Sequence, residues 1–145
     1  MKYIKTNKEL EFQKLKEFCE DSLAYLIDEY TIDDNKIVDV GRNTITNPTT
    51  FETVPMIKGP IFIYIKNLSR IDWNNPVWGA SAKAKRTVNW SDIKDDVIPF
   101  LIMLNSKYKV TDLDINGMEK RGIQSMINDE MTDMKIFYIK IQVEL

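Results

Sequence analysis

The chain has 145 residues, a net charge of −2, 43% hydrophobic and 10% aromatic residues, no histidine and a single cysteine, Cys19. Without histidine, serine–histidine and cysteine–histidine hydrolases are excluded, and so are zinc sites of the ordinary histidine and cysteine kind, because the ligands are missing. Length and composition predict one globular domain spanning residues 1–145, and a lone cysteine suits a reducing compartment.

Residues 1–8 lack the apolar core of a secretory signal, and no stretch reaches the roughly 18 apolar residues of a membrane span. The expected location is therefore the cytoplasm, with no membrane partner. From Lys8 to Tyr30, apolar residues recur at three- and four-residue steps (Phe12, Leu15, Cys19, Leu23, Leu26, Tyr30), which predicts an amphipathic helix. Asn7 is placed to cap it, and Glu9 and Glu11 put negative charge in its first turn, where the helix dipole favours it. Cys19, on the apolar side, reads as a small hydrophobe.

Lys36 to Val40 reads as a short strand stopped by Gly41. Residues 42–59, with Asn47-Pro48, several threonines, Val54-Pro55 and Gly59, show no sustained period and are expected to form a long polar loop. Loops of that length inside a domain usually carry function or are ordered by a partner. Pro60 to Ile65 is apolar at every position and predicts a central strand.

From Trp78 to Trp90 the even positions are Trp78, Ala80, Ala82, Ala84, Arg86, Val88 and Trp90, and the odd ones include Lys83 and Lys85. Apart from Arg86 this is period two, so a long strand with one small apolar face and one basic face is expected, with a helix as the alternative that the alanines leave open. Ser91 is placed to cap a second helix, with Ile93, Val97, Phe100, Leu101 and Leu104 on its buried side and Pro99 expected to kink or split it. Lys109 to Asn116 reads as a strand closed by Gly117, and residues 117–132 as either a weak helix or an excursion. The last segment alternates strictly, with Phe137, Ile139, Ile141 and Val143 against Tyr138, Lys140, Gln142 and Glu144. The order predicts an α+β fold: a mainly antiparallel sheet of about four to five strands covered by two helices, with the long polar loop at 42–59.

Charge is segregated along the chain. Residues 1–35 hold five lysines against nine acids, residues 36–90 eight bases against three acids, and residues 91–145 seven bases against ten acids. Such blocks let unlike faces of neighbouring copies attract, or offer a basic patch to nucleic acid, or serve only as solvated surface. Lys83, Lys85 and Arg86 between two tryptophans are the candidates for contact with DNA, since basic grooves with aromatic platforms hold single strands. Against this, the alternation sets the tryptophans opposite the two lysines.

Candidate chemistry rests on carboxylates. Asp112 and Asp114 share one strand face and, with Asp133 and Lys135, imitate the acids of a Mg²⁺-dependent nuclease, but a solvated strand face accounts for the same residues. No glycine-rich phosphate loop is present. The expectation is no catalytic set, no metal and no cofactor.

The opening helix, the strand Ile61 to Ile65 after its proline entry, the strand running into a helix with Ile98-Pro99-Phe100 at its centre, and the terminal strand from Met134 to Leu145 come in an order that resembles bacteriophage tail-terminator and head-to-tail connector proteins. The resemblance covers most of the chain by element order, without a signature motif. It implies a non-enzymatic phage assembly protein, made in the host cytoplasm and then part of the virion. Its subunits would form a homo-oligomeric ring that contacts tail-tube and other virion proteins, with DNA passing through. It also implies an intersubunit role for the 42–59 loop through Arg42, Asn47, Pro48 and Phe51, and a lumen-facing role for Lys83, Lys85 and Arg86. The alternative is a small phage or mobile-element inhibitor or regulatory protein that binds a host protein or nucleic acid.

Overall fold

The computed structural model describes residues 7–32, 35–56, 59–72 and 83–145. Its helices are α1 (Asn7–Ser22), α2 (Ala24–Tyr30), α3 (Trp90–Lys107) and α4 (Ile123–Ile127). Its strands are β1 (Val38–Arg42), β2 (Thr44–Thr46), β3 (Thr53–Pro55), β4 (Ile61–Ile65), β5 (Arg70–Asp72), β6 (Lys83–Arg86), β7 (Lys109–Ile115), β8 (Glu119–Lys120) and β9 (Ile139–Glu144).

Five strands form one antiparallel sheet in the order β1-β4-β9-β7-β8. Alternation decides which face is covered. Val40, Ile63, Ile141 and Leu113 lie opposite one another across four strands and are all buried. Helices α1 and α3 cover that face, with Leu15 and Cys19 from one and Ile93, Val97, Phe100, Leu101 and Leu104 from the other in the same core. Phe18 stacks on Phe100 at a centroid distance of 5.8 Å and joins the two helices. Each such side chain contributes roughly 1.5–3 kcal/mol by leaving water, so the α+β fold expected from the period is the fold observed. The opposite face carries the residues one step out of phase. There the Lys140 ammonium lies 4.4 Å from the Phe62 ring centroid, and Lys66 pairs with Asp39 at 3.1 Å.

Several boundaries differ from expectation, each for a local reason. The helix expected over Lys8–Tyr30 is two helices that meet at Leu23, whose backbone (φ −106°, ψ 17°) leaves the helical region while its side chain stays buried. The apolar period therefore runs through the break. Gly41 does not stop β1, which continues to Arg42. The 42–59 segment is not a plain loop, because β2 and β3 pair as a hairpin with Ile45 opposite Val54. The cap of α3 is Asn89 rather than Ser91. Asn89 and Asp92 exchange side-chain and backbone hydrogen bonds in a capping box, and α3 runs unbroken through Pro99. Trp90 is thus the first helical residue and not a strand residue. Within the long strand expected from Trp78, residues 83–86 are strand, and 78–82 lie outside the described residues. Residues 117–132 hold both β8 and α4, entered through Asn116 and Gly117, whose positive φ values of 58° and 72° make the turn.

A buried hydroxyl closes the seam beyond the sheet. Ser69, 5% exposed, donates from its Oγ to the Val88 carbonyl at 3.0 Å and accepts the Val88 N–H at 2.9 Å. Its own N–H donates to the Ile136 carbonyl at 3.0 Å. One residue, through its hydroxyl and its main-chain N–H, thus links three segments where the ladder has ended. Ser69→Ala leaves the Val88 N–H without that partner in an apolar site, and is expected to lower unfolding stability by about 1–3 kcal/mol in urea denaturation.

Candidate functional site

The carboxylates that could imitate a nuclease are not gathered. Asp112 and Asp114 do share a face, lining with Lys120, Lys140 and Gln142 an open cavity of about 330 Å³. There Asp112 meets Lys120 at 3.4 Å and accepts the Leu113 N–H at 3.0 Å. Asp133 is used elsewhere. Its two oxygens accept the Ser91 N–H and hydroxyl, both at 2.9 Å, and those bonds hold its carboxyl below the usual carboxylate range. Asp129 likewise accepts the Trp90 indole N–H at 3.2 Å and pairs with Lys94 at 2.9 Å. These acids tie the start of α3 to the segment after α4. Among the described residues no group of three histidine, cysteine, aspartate or glutamate side chains could hold a metal ion, and no helix is long and apolar enough to cross a membrane.

The basic candidates divide. Arg86 turns inward: its Nε donates to the Leu68 carbonyl at 2.7 Å, one terminal nitrogen to the Tyr30 carbonyl at 2.8 Å and the other to the Asn67 carbonyl. Its guanidinium also lies 5.3 Å from the Tyr30 ring centroid. One side chain therefore fastens the end of α2, the turn after β4 and strand β6 to each other. Lys83 and Lys85 are placed on β6 by the backbone, in a ribbon with β5, and the placement of their side chains lies outside the description.

The loop candidates divide as well. Arg42 sits at the root of the β2–β3 arm with its guanidinium 5.3 Å from the Phe12 ring centroid on α1. Asn47, Pro48 and Phe51 are at the tip. The Asn47 side-chain oxygen accepts the N–H groups of Thr49 and Thr50 at 2.8 and 3.3 Å, and its carbonyl accepts the Phe51 N–H at 2.8 Å, a local turn that needs no help from the rest of the molecule. Phe51, at φ 58°, is 80% exposed, and Ile45 and Val54 are 53% and 54% exposed. Among the described residues, an arm that holds Ile45, Phe51 and Val54 in water is a conspicuous apolar surface.

A second surface is electrostatic. Glu17, Glu20, Asp21, Asp28 and Glu29 on α1 and α2 take part in no salt bridge among the described residues, and Tyr25 stands 65% exposed on the same helices. The repulsion reaches α3. Burial raises the Asp96 carboxyl above the ordinary carboxylate value, and the nearby charges of Asp95 and Glu29 add to it.

Compared with family models, curated proteins and solved structures, the chain matches none.

Two outcomes follow from these environments. Burial, then the Glu20 charge, pushes the Cys19 thiol up to about 12, so it stays protonated at pH 8 and is fully buried. A maleimide is expected to label it at pH 8 only as fast as the fold opens, with the rate rising in step with urea. For Asp96 the folded state binds its proton more tightly than the unfolded state does. Stability is therefore penalised above the folded value and relieved as pH falls through it towards the ordinary value of 3.8. Asp96→Asn should raise the melting temperature at pH 7, with the gain shrinking as the pH is lowered through the carboxylate range.

Proposed function

We propose that this protein is a non-enzymatic assembly subunit of the phage tail-terminator or head-to-tail connector kind, working in a homo-oligomeric ring through its surfaces rather than through a reaction centre. The observation that carries the reading is the β2–β3 arm, which lifts Ile45, Phe51 and Val54 into water. Within a single copy these side chains have no purpose that solvent exposure serves. Seated on a neighbour, each removes apolar area from water. The segregated charge supports the same reading, since a carboxylate-rich α1–α2 surface on one copy attracts the basic 36–90 region of the next and sets the sense of a heterologous contact. Other virion proteins and DNA are the further partners this reading implies, and the virion is the final location.

The carboxylates of α1 and α2 favour a second reading, a small regulatory protein whose acidic helices engage a basic host protein. The two readings part on self-association.

Light scattering of the purified protein over a range of concentration and salt is expected to give a discrete oligomer larger than a dimer, weakened by salt. Phe51→Ser combined with Val54→Thr should lose that oligomer while melting at an unchanged temperature, because both positions are exposed. A wild-type protein that never exceeds a dimer would overturn the ring reading and favour the regulatory one.

A further inference from the structure

We propose that the β2–β3 arm of one copy docks in a groove at the end of β9 in the next, with the Phe51 ring against its apolar lining and Glu52 among the lysines at its rim. This contact rests on the ring reading and names the surface that receives the arm.

Two cavities, of about 460 and 380 Å³, share Glu11, Glu144 and Leu145, and so make one groove across the end of β9, bordered by α1, the end of α3 and the segment leading into β4. Leu145 and Tyr108, whose ring is tilted against Phe18 at 6.3 Å, give it an apolar lining. A cavity of about 150 Å³ is enough to take up a benzene-sized ring, so the larger of the two has room for a phenylalanine side chain. Four lysines, Lys8, Lys14, Lys107 and Lys109, stand against two acids, Glu11 and Glu144. Lys109 and Glu144 pair at 3.4 Å with both side chains largely exposed, which makes the pairing weak. Lys8, Lys14 and Lys107 take part in no salt bridge among the described residues. The groove is therefore net positive.

The arm has the complementary character. Between Thr44 and Pro55 its only charged residue is Glu52, which follows Phe51 and takes part in no salt bridge among the described residues. An aromatic ring with one carboxylate beside it matches an apolar-lined, net-positive groove in both properties. The arm does not lie in the groove of its own copy, since Ile45, Phe51 and Val54 are exposed.

Position sets the sense of the contact. Arg42, Ile61, Val143 and Val110 stand in one row at one end of the sheet. The arm leaves that end after β1, and the groove opens at the same end beside β9 and β7, with β4 between β1 and β9. Donor and acceptor thus sit level on different flanks, as head-to-tail copies require. At roughly 3.3 Å per residue the arm reaches about 15 Å from Asn43 to Pro48, enough to cross from one copy to the next.

Cross-linking with a short bismaleimide tests the contact, because Cys19 is buried and stays out of the reaction. Thr50→Cys on the arm, mixed with Lys109→Cys in the groove, should give covalent dimers about ten-fold or more faster than Thr50→Cys mixed with Glu130→Cys, near the start of α3. Each cysteine variant alone should react slowly, since a head-to-tail contact never sets like against like. Adding Phe51→Ser to the arm chain should abolish the selective cross-link at an unchanged melting temperature. Reversing Lys14 and Lys107 to glutamate in the groove chain should slow it, and Glu52→Lys in the arm chain should restore it. Equal rates at 109 and 130, a Thr50→Cys chain that links to itself as fast as the mixture, or no response to charge reversal would overturn the docking. If wild-type oligomers larger than a dimer persist in that case, the ring reading survives without this groove. If the selective cross-link forms in a protein that never exceeds a dimer, the docking survives and the ring reading does not.

Discussion

Strand β9 lies in the middle of the sheet, hydrogen-bonded to β4 on one side and β7 on the other. Everything else is arranged around that placement. The segments before β9 can form helices and hairpins locally, but the row Val40, Ile63, Ile141, Leu113 is incomplete until residues 139–144 arrive. Loop closure must be met before these long-range pairings return free energy, so the core forms late and cooperatively. The same placement makes β1 one edge of the sheet and leaves the β7 and β8 side as the other.

Where the sheet ends, single side chains take over from the ladder. Arg86 and Ser69 together bind the carbonyls of Tyr30, Asn67, Leu68 and Val88, and Asn116 does a comparable job, donating to the Lys135 carbonyl and accepting the Phe137 N–H at 2.7 Å. Main-chain groups buried away from water need partners, and in this irregular region the partners are side chains far away in sequence. Arg86 shows how such a role surfaces in a sequence. It is the one cation on the apolar parity of the Trp78–Trp90 alternation, an exception that marks an inward-facing charge, although its three carbonyls could not be named from the pattern.

Legibility followed burial. The helix periods and the strict alternation of β9 were readable because each buries one face and leaves the other wet, and that contrast is what period records. The β2–β3 hairpin was not readable, because neither of its faces is buried in a single copy and its threonines, isoleucine and valine have no contrast to display. The break at Leu23 was hidden by the opposite effect, a buried leucine that keeps the period through a non-helical backbone. At the start of α3, two polar residues could cap. Asn89 prevailed because Asp92 stands three residues on to complete the box, while Ser91 is held by Asp133. Of the surface candidates, the pattern placed the tip residues Asn47, Pro48 and Phe51 together but could not separate them from Arg42, which belongs to the packing against Phe12.

The missing histidines and the buried Cys19 have a further consequence. Histidine is the side chain whose ordinary value lies in the neutral range, the chain has none, and its only thiol is pushed up to about 12. The carboxylate-rich helices and the basic 36–90 region therefore keep nearly constant side-chain charge across neutral pH. Contacts built on them answer to ionic strength, through screening over about 10 Å at 0.1 M salt, and hardly at all to the small acidity changes that switch histidine-bearing interfaces.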